Sequence, residues 1–286
     1  MAEASPSSSV RQMKRSFTIG IAGAHSNIGK TTLAAALLRY LNRNALSVTR
    51  NELKEKETAP VTHHASLITL RRWGAVKFTK TSLYTSLTDD PAVVGRGDKD
   101  TGRLLAAGAG AVLWVQSPSE RLGEVLPLAL DRLSSSGCDG ILVEGNSAIE
   151  FLKPDIVIFI SSVSKNRIKA SAQRLLHLAD VVIIPGAHDE GPEVRYERSP
   201  EHERAACRLY GLPLDEKTLR ELADCMEKIM KKKSITELLH EKSADGRISC
   251  TLARAIAEEL GVSPRDVGET ADELKIKIKN CELGCF

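Results

Sequence analysis

Six short apolar runs constrain this chain more than any other feature. They span residues 17–22, 75–79, 111–115, 140–143, 155–160 and 181–184, and most of them run without a polar break. A strand with one wet face alternates apolar and polar residues, whereas a continuous apolar run needs cover on both faces. The stretches between the runs supply that cover. Leu33, Leu37, Leu38 and Leu41 fall at helical spacing within residues 30–41, and similar patterns mark residues 101–107, 120–133 and 168–178. The alternation predicts an α/β fold, with a mainly parallel sheet between layers of helices and right-handed crossovers.

Past residue 185 the character changes. Residues 187–204 read as charged and irregular, and residues 203–210 and 216–232 as helical, the latter closed by Lys231-Lys232-Lys233. Residues 42–72 give no clear pattern, and the polar, Asp- and Gly-rich residues 82–99 read as a loop. Residues 1–15, rich in Ser and charge, read as a flexible leader. The main unit then covers 16–242, and a small, mostly α C-terminal unit covers 243–286.

The first run leads into Ala24-His25-Ser26-Asn27-Ile28-Gly29-Lys30-Thr31-Thr32 and then directly into a helix. A loop of this kind turns backbone N–H groups towards phosphate oxygens, and the helix N-terminus adds its dipole. Gly29 allows close approach, Lys30 reaches the β and γ phosphates, and the Thr31 hydroxyl ligates Mg²⁺. The expected ligand is therefore GTP or ATP with Mg²⁺. The first loop position is Ala24 rather than Gly, with Gly23 one step early.

Such a site also needs carboxylates, which open parallel sheets place at the carboxyl ends of strands. Glu144 ends the run at 140–143 and precedes Gly145. Asp100 follows the polar loop after the second run, with Asp98 as its competitor. Lys30, Asp100 and Glu144 form the candidate catalytic set, and Thr31, Asp100 and Glu144 the candidate Mg²⁺ ligands. Lys77 lies in the second run, either as a functional cation or as a solvated one.

At these residues a family resemblance emerges. Asp98-Lys99-Asp100-Thr101-Gly102-Arg103, followed by Ala107-Gly108-Ala109, resembles a segment of MobB, the P-loop GTPase adapter of molybdopterin-guanine dinucleotide biosynthesis. The likeness takes in the phosphate loop and Ile141-Leu142-Val143-Glu144-Gly145, and covers roughly residues 16–186. It implies a P-loop NTPase three-layer fold and slow hydrolysis of the triphosphate. It also implies support of molybdenum or tungsten cofactor assembly through a partner protein. Asp100 would approach the metal, Arg103 would pin the nucleotide-responsive segment, and Glu144 would be the Walker B acid. No Asn-Lys-x-Asp motif follows residue 184, where Gly186-Ala187-His188-Asp189-Glu190 stands instead, so guanine and adenine both stay open. Val143-Glu144-Gly145 is also similar to dethiobiotin synthetase, which implies an alternative ATP-dependent ligase or small-molecule kinase.

The C-terminal unit carries Leu252, Ile256 and Leu260 at helical spacing. The turn Gly261-Val262-Ser263 follows, and a second helix opens at Pro264 with Ser263 as its N-cap. The pattern resembles a helix-turn-helix. Asp266, Glu269, Asp272 and Glu273 on the second helix oppose DNA binding and favour a docking or structural module, although Lys275, Lys277 and Lys279 follow on an alternating stretch. Cys250, Cys281 and Cys285 offer three thiolates for a soft metal or an Fe–S cluster, with the NTPase as a maturation motor. Ordinary packing of small apolar cysteines is the alternative.

Composition narrows the setting. The chain has 286 residues, with 40 Lys and Arg against 37 Asp and Glu, a net charge of +3. That is too small to argue for an anionic partner. No apolar run reaches the ~18 residues of a membrane helix. The expectation is a cytoplasmic protein whose six cysteines are reduced, with homodimerisation left open. His63-His64, and the cluster His188, Asp189, Glu190 and Glu193, are further polar groups of interest. Cys138, Cys207 and Cys225 read as core or surface residues.

Overall fold

A computed structural model of the chain describes residues 16–52, 72–162, 170–184, 194–197, 206–210 and 215–280. The first half of the chain contains β1 (Phe17–Gly23), α1 (Lys30–Glu52), β2 (Trp73–Lys80), β3 (Ser86–Thr88), α2 (Pro91–Val94), α3 (Asp100–Ala106), β4 (Ala111–Ser117) and α4 (Leu122–Ser135). Next come β5 (Gly140–Glu144), α5 (Asn146–Leu152), β6 (Ile156–Ile160), α6 (Ala170–Leu178), β7 (Val181–Ile184), β8 (Val194–Glu197) and β9 (Ala206–Tyr210). The chain continues with α7 (Glu216–Lys242), β10 (Arg247–Ser249), α8 (Cys250–Leu260), α9 (Pro264–Glu273) and β11 (Lys277–Lys279).

The fold is α/β. The main sheet has the order β3-β4-β2-β5-β1-β6-β7-β9-β8. Strands β4 through β9 in that order all pair in parallel, and β3 and β8 cap the two edges antiparallel. Because successive side chains point to opposite faces, each apolar run feeds two cores at once. Ile19, Ile21, Trp73, Ala75, Leu142, Ile156 and Ile158 pack on one face beneath α1, α3 and α7. Ala22, Val76, Phe78, Val143, Val157 and Phe159 pack on the other beneath α4, α5 and α6. Leu33, Leu37, Leu38 and Leu41 are fully buried, and each such side chain contributes roughly 1.5–3 kcal/mol. Packing of this stripe, rather than intrinsic propensity, therefore holds α1 to the sheet.

Several local expectations need correction. Residues 82–99 are not a plain loop: they form β3, which covers the β4 edge, and α2, started by Pro91 with the Asp90 side chain capping Ala92 N–H. Residues 203–210, read as helical, contain strand β9 instead. Their good helix formers are overridden by pairing with β7, whose outer edge would otherwise hold open N–H and C=O groups. Strand β8 lies inside the stretch read as irregular, and α5 was not anticipated. The first residues of the uninterpreted stretch 42–72 simply prolong α1 to Glu52. The lysines 231–233 do not end α7, which runs on to Lys242. Lys233 instead reaches the Asp155 carbonyl at 2.5 Å and the nearly buried Asp180 carboxylate at 2.8 Å.

The helix-turn-helix pattern is present. Gly261 takes the left-handed conformation that stops α8, and Ser263 and Asp266 form a reciprocal capping box that starts α9. Strands β10 and β11 pair in parallel beside these helices. Their core joins Ile248, Ala253, Ile256, Leu260, Val267, Ala271 and Ile276 to Ile235 and Leu239 of α7. The third core therefore begins inside α7, upstream of residue 243.

Candidate active site

A cavity of ≈ 630 Å³ opens where β1, β2 and β5 end. This is the edge at which open parallel sheets place their ligands. Its wall takes in the loop residues His25, Ser26, Asn27 and Gly29, then Lys30, Thr31 and Thr32 at the start of α1. Lys30, Lys77, Lys80 and Arg103 give it four cationic side chains against two carboxylates, Asp100 and Glu144. Such a lining favours an anion.

The loop is held by specific bonds. Ala24 is buried, and its N–H donates to the Ile160 carbonyl at 2.9 Å. The Asn146 side chain clamps Gly23 from both sides, accepting from its N–H at 3.1 Å and donating to its carbonyl at 3.0 Å. Asn27 and Gly29 both have positive φ, 62° and 101°, which folds the backbone back before α1. Ile28 packs against both sheet cores from the loop tip. The Lys30 ammonium donates to the His25 carbonyl at 3.0 Å and so lies over the loop. His25 Nδ1 is 2.7 Å from the Ser26 carbonyl.

Beneath the loop, the expected acids converge. Glu144, 1% exposed, accepts the Thr31 hydroxyl at 3.0 and 2.9 Å through its two oxygens. This contact is possible because β5 is the direct neighbour of β1. Gly145, immediately after it, has φ 138°, and a Cβ there would stand 2.9 Å from Phe78 Cβ. The turn that presents Glu144 therefore requires glycine. Lys77 Nζ lies 2.5 Å from Glu144 Oε1 and 2.6 Å from Asp100 Oδ2, tying the two acids together. Arg103 lies 3.8 Å from Asp100 and donates to the Thr32 hydroxyl at 3.0 Å, fastening α3 to α1.

Asp98 and Asp100 separate cleanly. Asp98 is exposed, and hydrogen bonds from Arg96 hold its carboxyl below the usual range. Asp100 turns into the cavity. Burial pushes its carboxyl up, but Lys77, with help from Thr31 and Arg103, outweighs this and holds it below the usual range.

Thr31, Asp100 and Glu144 are hard oxygen donors. Among the described residues, no group of three or more His, Cys, Asp and Glu side chains is placed to hold a metal. Two carboxylates and a hydroxyl fit Mg²⁺, which is commonly held by one or two carboxylates with ligand phosphates completing its shell. Cys250 is buried at the start of α8, and Cys138 and Cys225 are buried in the sheet cores. Burial pushes the Cys138 thiol up. Cys281, Cys285, His63, His64, His188, Asp189, Glu190, Glu193 and the Cys207 side chain lie outside the described residues.

One residue of the site escaped sequence reasoning: Asn146, whose only signal is an amide following Glu144-Gly145. Lys77 stood out as a candidate cation, but its bridging position depends on strand register. No family model matches this chain, and no curated protein is significantly similar to it. The likeness to MobB thus rests on the loop, residues 98–109 and residues 141–145 alone. Among the described residues, no helix is long and apolar enough to cross a membrane.

Proposed function

We propose that this cavity binds a nucleoside triphosphate with Mg²⁺ and hydrolyses it slowly, on a P-loop NTPase three-layer fold. The observation that carries the reading is the meeting of the Thr31 hydroxyl, Glu144 and Asp100 directly beneath the loop that Lys30 overlies. Backbone N–H groups of residues 25–30 and the start of α1 receive the phosphates. Lys30 leaves the His25 carbonyl for a phosphate oxygen, a stronger, charge-assisted partner. Bound Mg²⁺, held by Thr31, Asp100 and Glu144, supplies charge neutralisation at the phosphates. Glu144 and Asp100 orient the attacking water, and Arg103 couples that geometry to α3. Residues 186–190, which stand where a guanine-reading motif would follow β7, lie outside the described residues, so ATP and GTP are both candidates.

The likeness to MobB supports placing this activity in molybdenum or tungsten cofactor assembly, with a cofactor-biosynthesis or metalloenzyme protein as partner. The test is direct. ATP and GTP binding are measured by calorimetry with and without Mg²⁺, in wild type and Lys30→Ala. Mg²⁺-dependent binding that the variant weakens at least about tenfold is expected, since one charge-assisted contact contributes roughly 1.5–3 kcal/mol. Equal binding by both proteins, or none by either, would sink the reading.

A further inference from the structure

Lys77 has a position that triphosphate binding alone does not explain. The parallel register sets it directly beside Glu144, so the two side chains leave the sheet at one level. Its ammonium contacts Glu144 at 2.5 Å and Asp100 at 2.6 Å, and only 17% of the lysine side chain is exposed. Two carboxylates brought this close from separate elements repel unless a cation lies between them. A lysine bridging both occupies the ground that a shared divalent cation needs, and an ammonium and a metal ion repel each other there.

We propose that Lys77 is a built-in counter-ion that closes the metal site to free Mg²⁺ and yields when nucleotide phosphates arrive to take its ammonium. This rests on the Mg²⁺–triphosphate reading of the same cavity. Metal alone must drive Lys77 off two carboxylates into a cavity already rich in Lys30, Lys80 and Arg103. With nucleotide present, the displaced ammonium pairs with phosphate oxygens instead. Metal and triphosphate binding are then coupled through one side chain, and the coupling is reciprocal.

The experiment titrates Mn²⁺, followed by electron paramagnetic resonance, into the nucleotide-free full-length protein and then repeats the titration with a non-hydrolysable triphosphate. Wild type binds Mn²⁺ weakly alone and strongly with triphosphate. Lys77→Met binds Mn²⁺ alone about tenfold more tightly than wild type and gains less from triphosphate, within the ~5–150-fold range of ordinary coupling. Lys77→Arg, which keeps the cation, behaves like wild type. If Lys77→Met is unfolded in chelator, Mg²⁺ by itself restores its fold, because metal replaces the lost cation. Failure of Mg²⁺ to restore it overturns the proposal. Mn²⁺ binding by folded Lys77→Met that equals or falls below wild type, with triphosphate binding retained, also overturns it and leaves the nucleotide reading standing. Absence of triphosphate binding in wild type removes both.

Discussion

Replacing Glu144 with alanine destabilises the ligand-free protein by about 3 kcal/mol, and replacing it with glutamine by about 1 kcal/mol. The difference follows from what each change leaves behind. Alanine takes both Glu144 oxygens from the Thr31 hydroxyl, 7% exposed, but leaves it Asp100 as an acceptor, so this loss stays below the ~1 kcal/mol at which an unsatisfied buried donor begins to cost. It also removes one of the two carboxylates around Lys77. Breaking a buried pair in this way commonly costs ~3–5 kcal/mol, but Lys77 keeps Asp100 at 2.6 Å and some contact with water, so the lower end applies. Glutamine preserves shape and one acceptor oxygen, and it fails only where its NH₂ faces a donor. Urea unfolding at neutral pH, without nucleotide or metal, measures both variants. Trp73, fully buried in the main core, reports on the relevant unit. If Glu144→Ala has the wild-type midpoint with an unchanged slope, or is more stable than Glu144→Gln, the carboxylate is not a structural hub.

Three further outcomes follow from the same geometry. Because the Asp100 carboxyl is held below the usual 3.8, its contribution is present above that pH and is lost as pH falls through the lower folded value; Asp100→Asn therefore flattens the acid limb of the stability profile, read by thermal melts from pH 5 downward. Gly145→Ala costs about 2 kcal/mol or more, since it combines a positive φ with a Cβ placed 2.9 Å from Phe78, and circular dichroism melts check it. Lys233→Met removes the 2.8 Å ion pair to Asp180, whose side chain is 4% exposed, and lowers stability by about 2 kcal/mol in denaturant titrations.

The site was legible in sequence where its chemistry is local. The loop from Ala24 to Thr32 and the strand ending at Glu144 are contiguous segments whose residue types already encode their geometry. Asp100 needed the structure to separate it from Asp98, because only the ion pair with Arg96 shows which acid faces solvent. The contacts of Lys77 and Asn146 were obscure for a different reason. Their partners, Glu144 and Gly23, lie far away in the chain, and only the interleaving of β5 between β1 and β2 brings them together. The same limit explains β9: local propensity in residues 203–210 favours a helix, while the open edge of β7 selects a strand.

The lysines of α7 show where the C-terminal unit attaches, and they set the last prediction. Lys233 binds at Asp155 and Asp180, which precede β6 and β7, so α7 is anchored at the end of the sheet opposite the loop between β1 and α1. Two residues further on, Ile235 enters the third core, followed by Leu239. No residue of α8 or α9 lines the cavity. A chain ending at residue 242 therefore keeps its proposed nucleotide site but exposes Ile235 and Leu239, now 2% and 0% accessible, on one stripe of α7. That chain is expected to aggregate during size-exclusion chromatography, and Ile235→Glu with Leu239→Lys to return it to a soluble species with wild-type triphosphate affinity. Solubility without those two changes would mean the third core does not reach into α7. A soluble, folded truncation that has lost triphosphate binding would mean the C-terminal helices act on the cavity from across the sheet, and the separation of the two ends would fail.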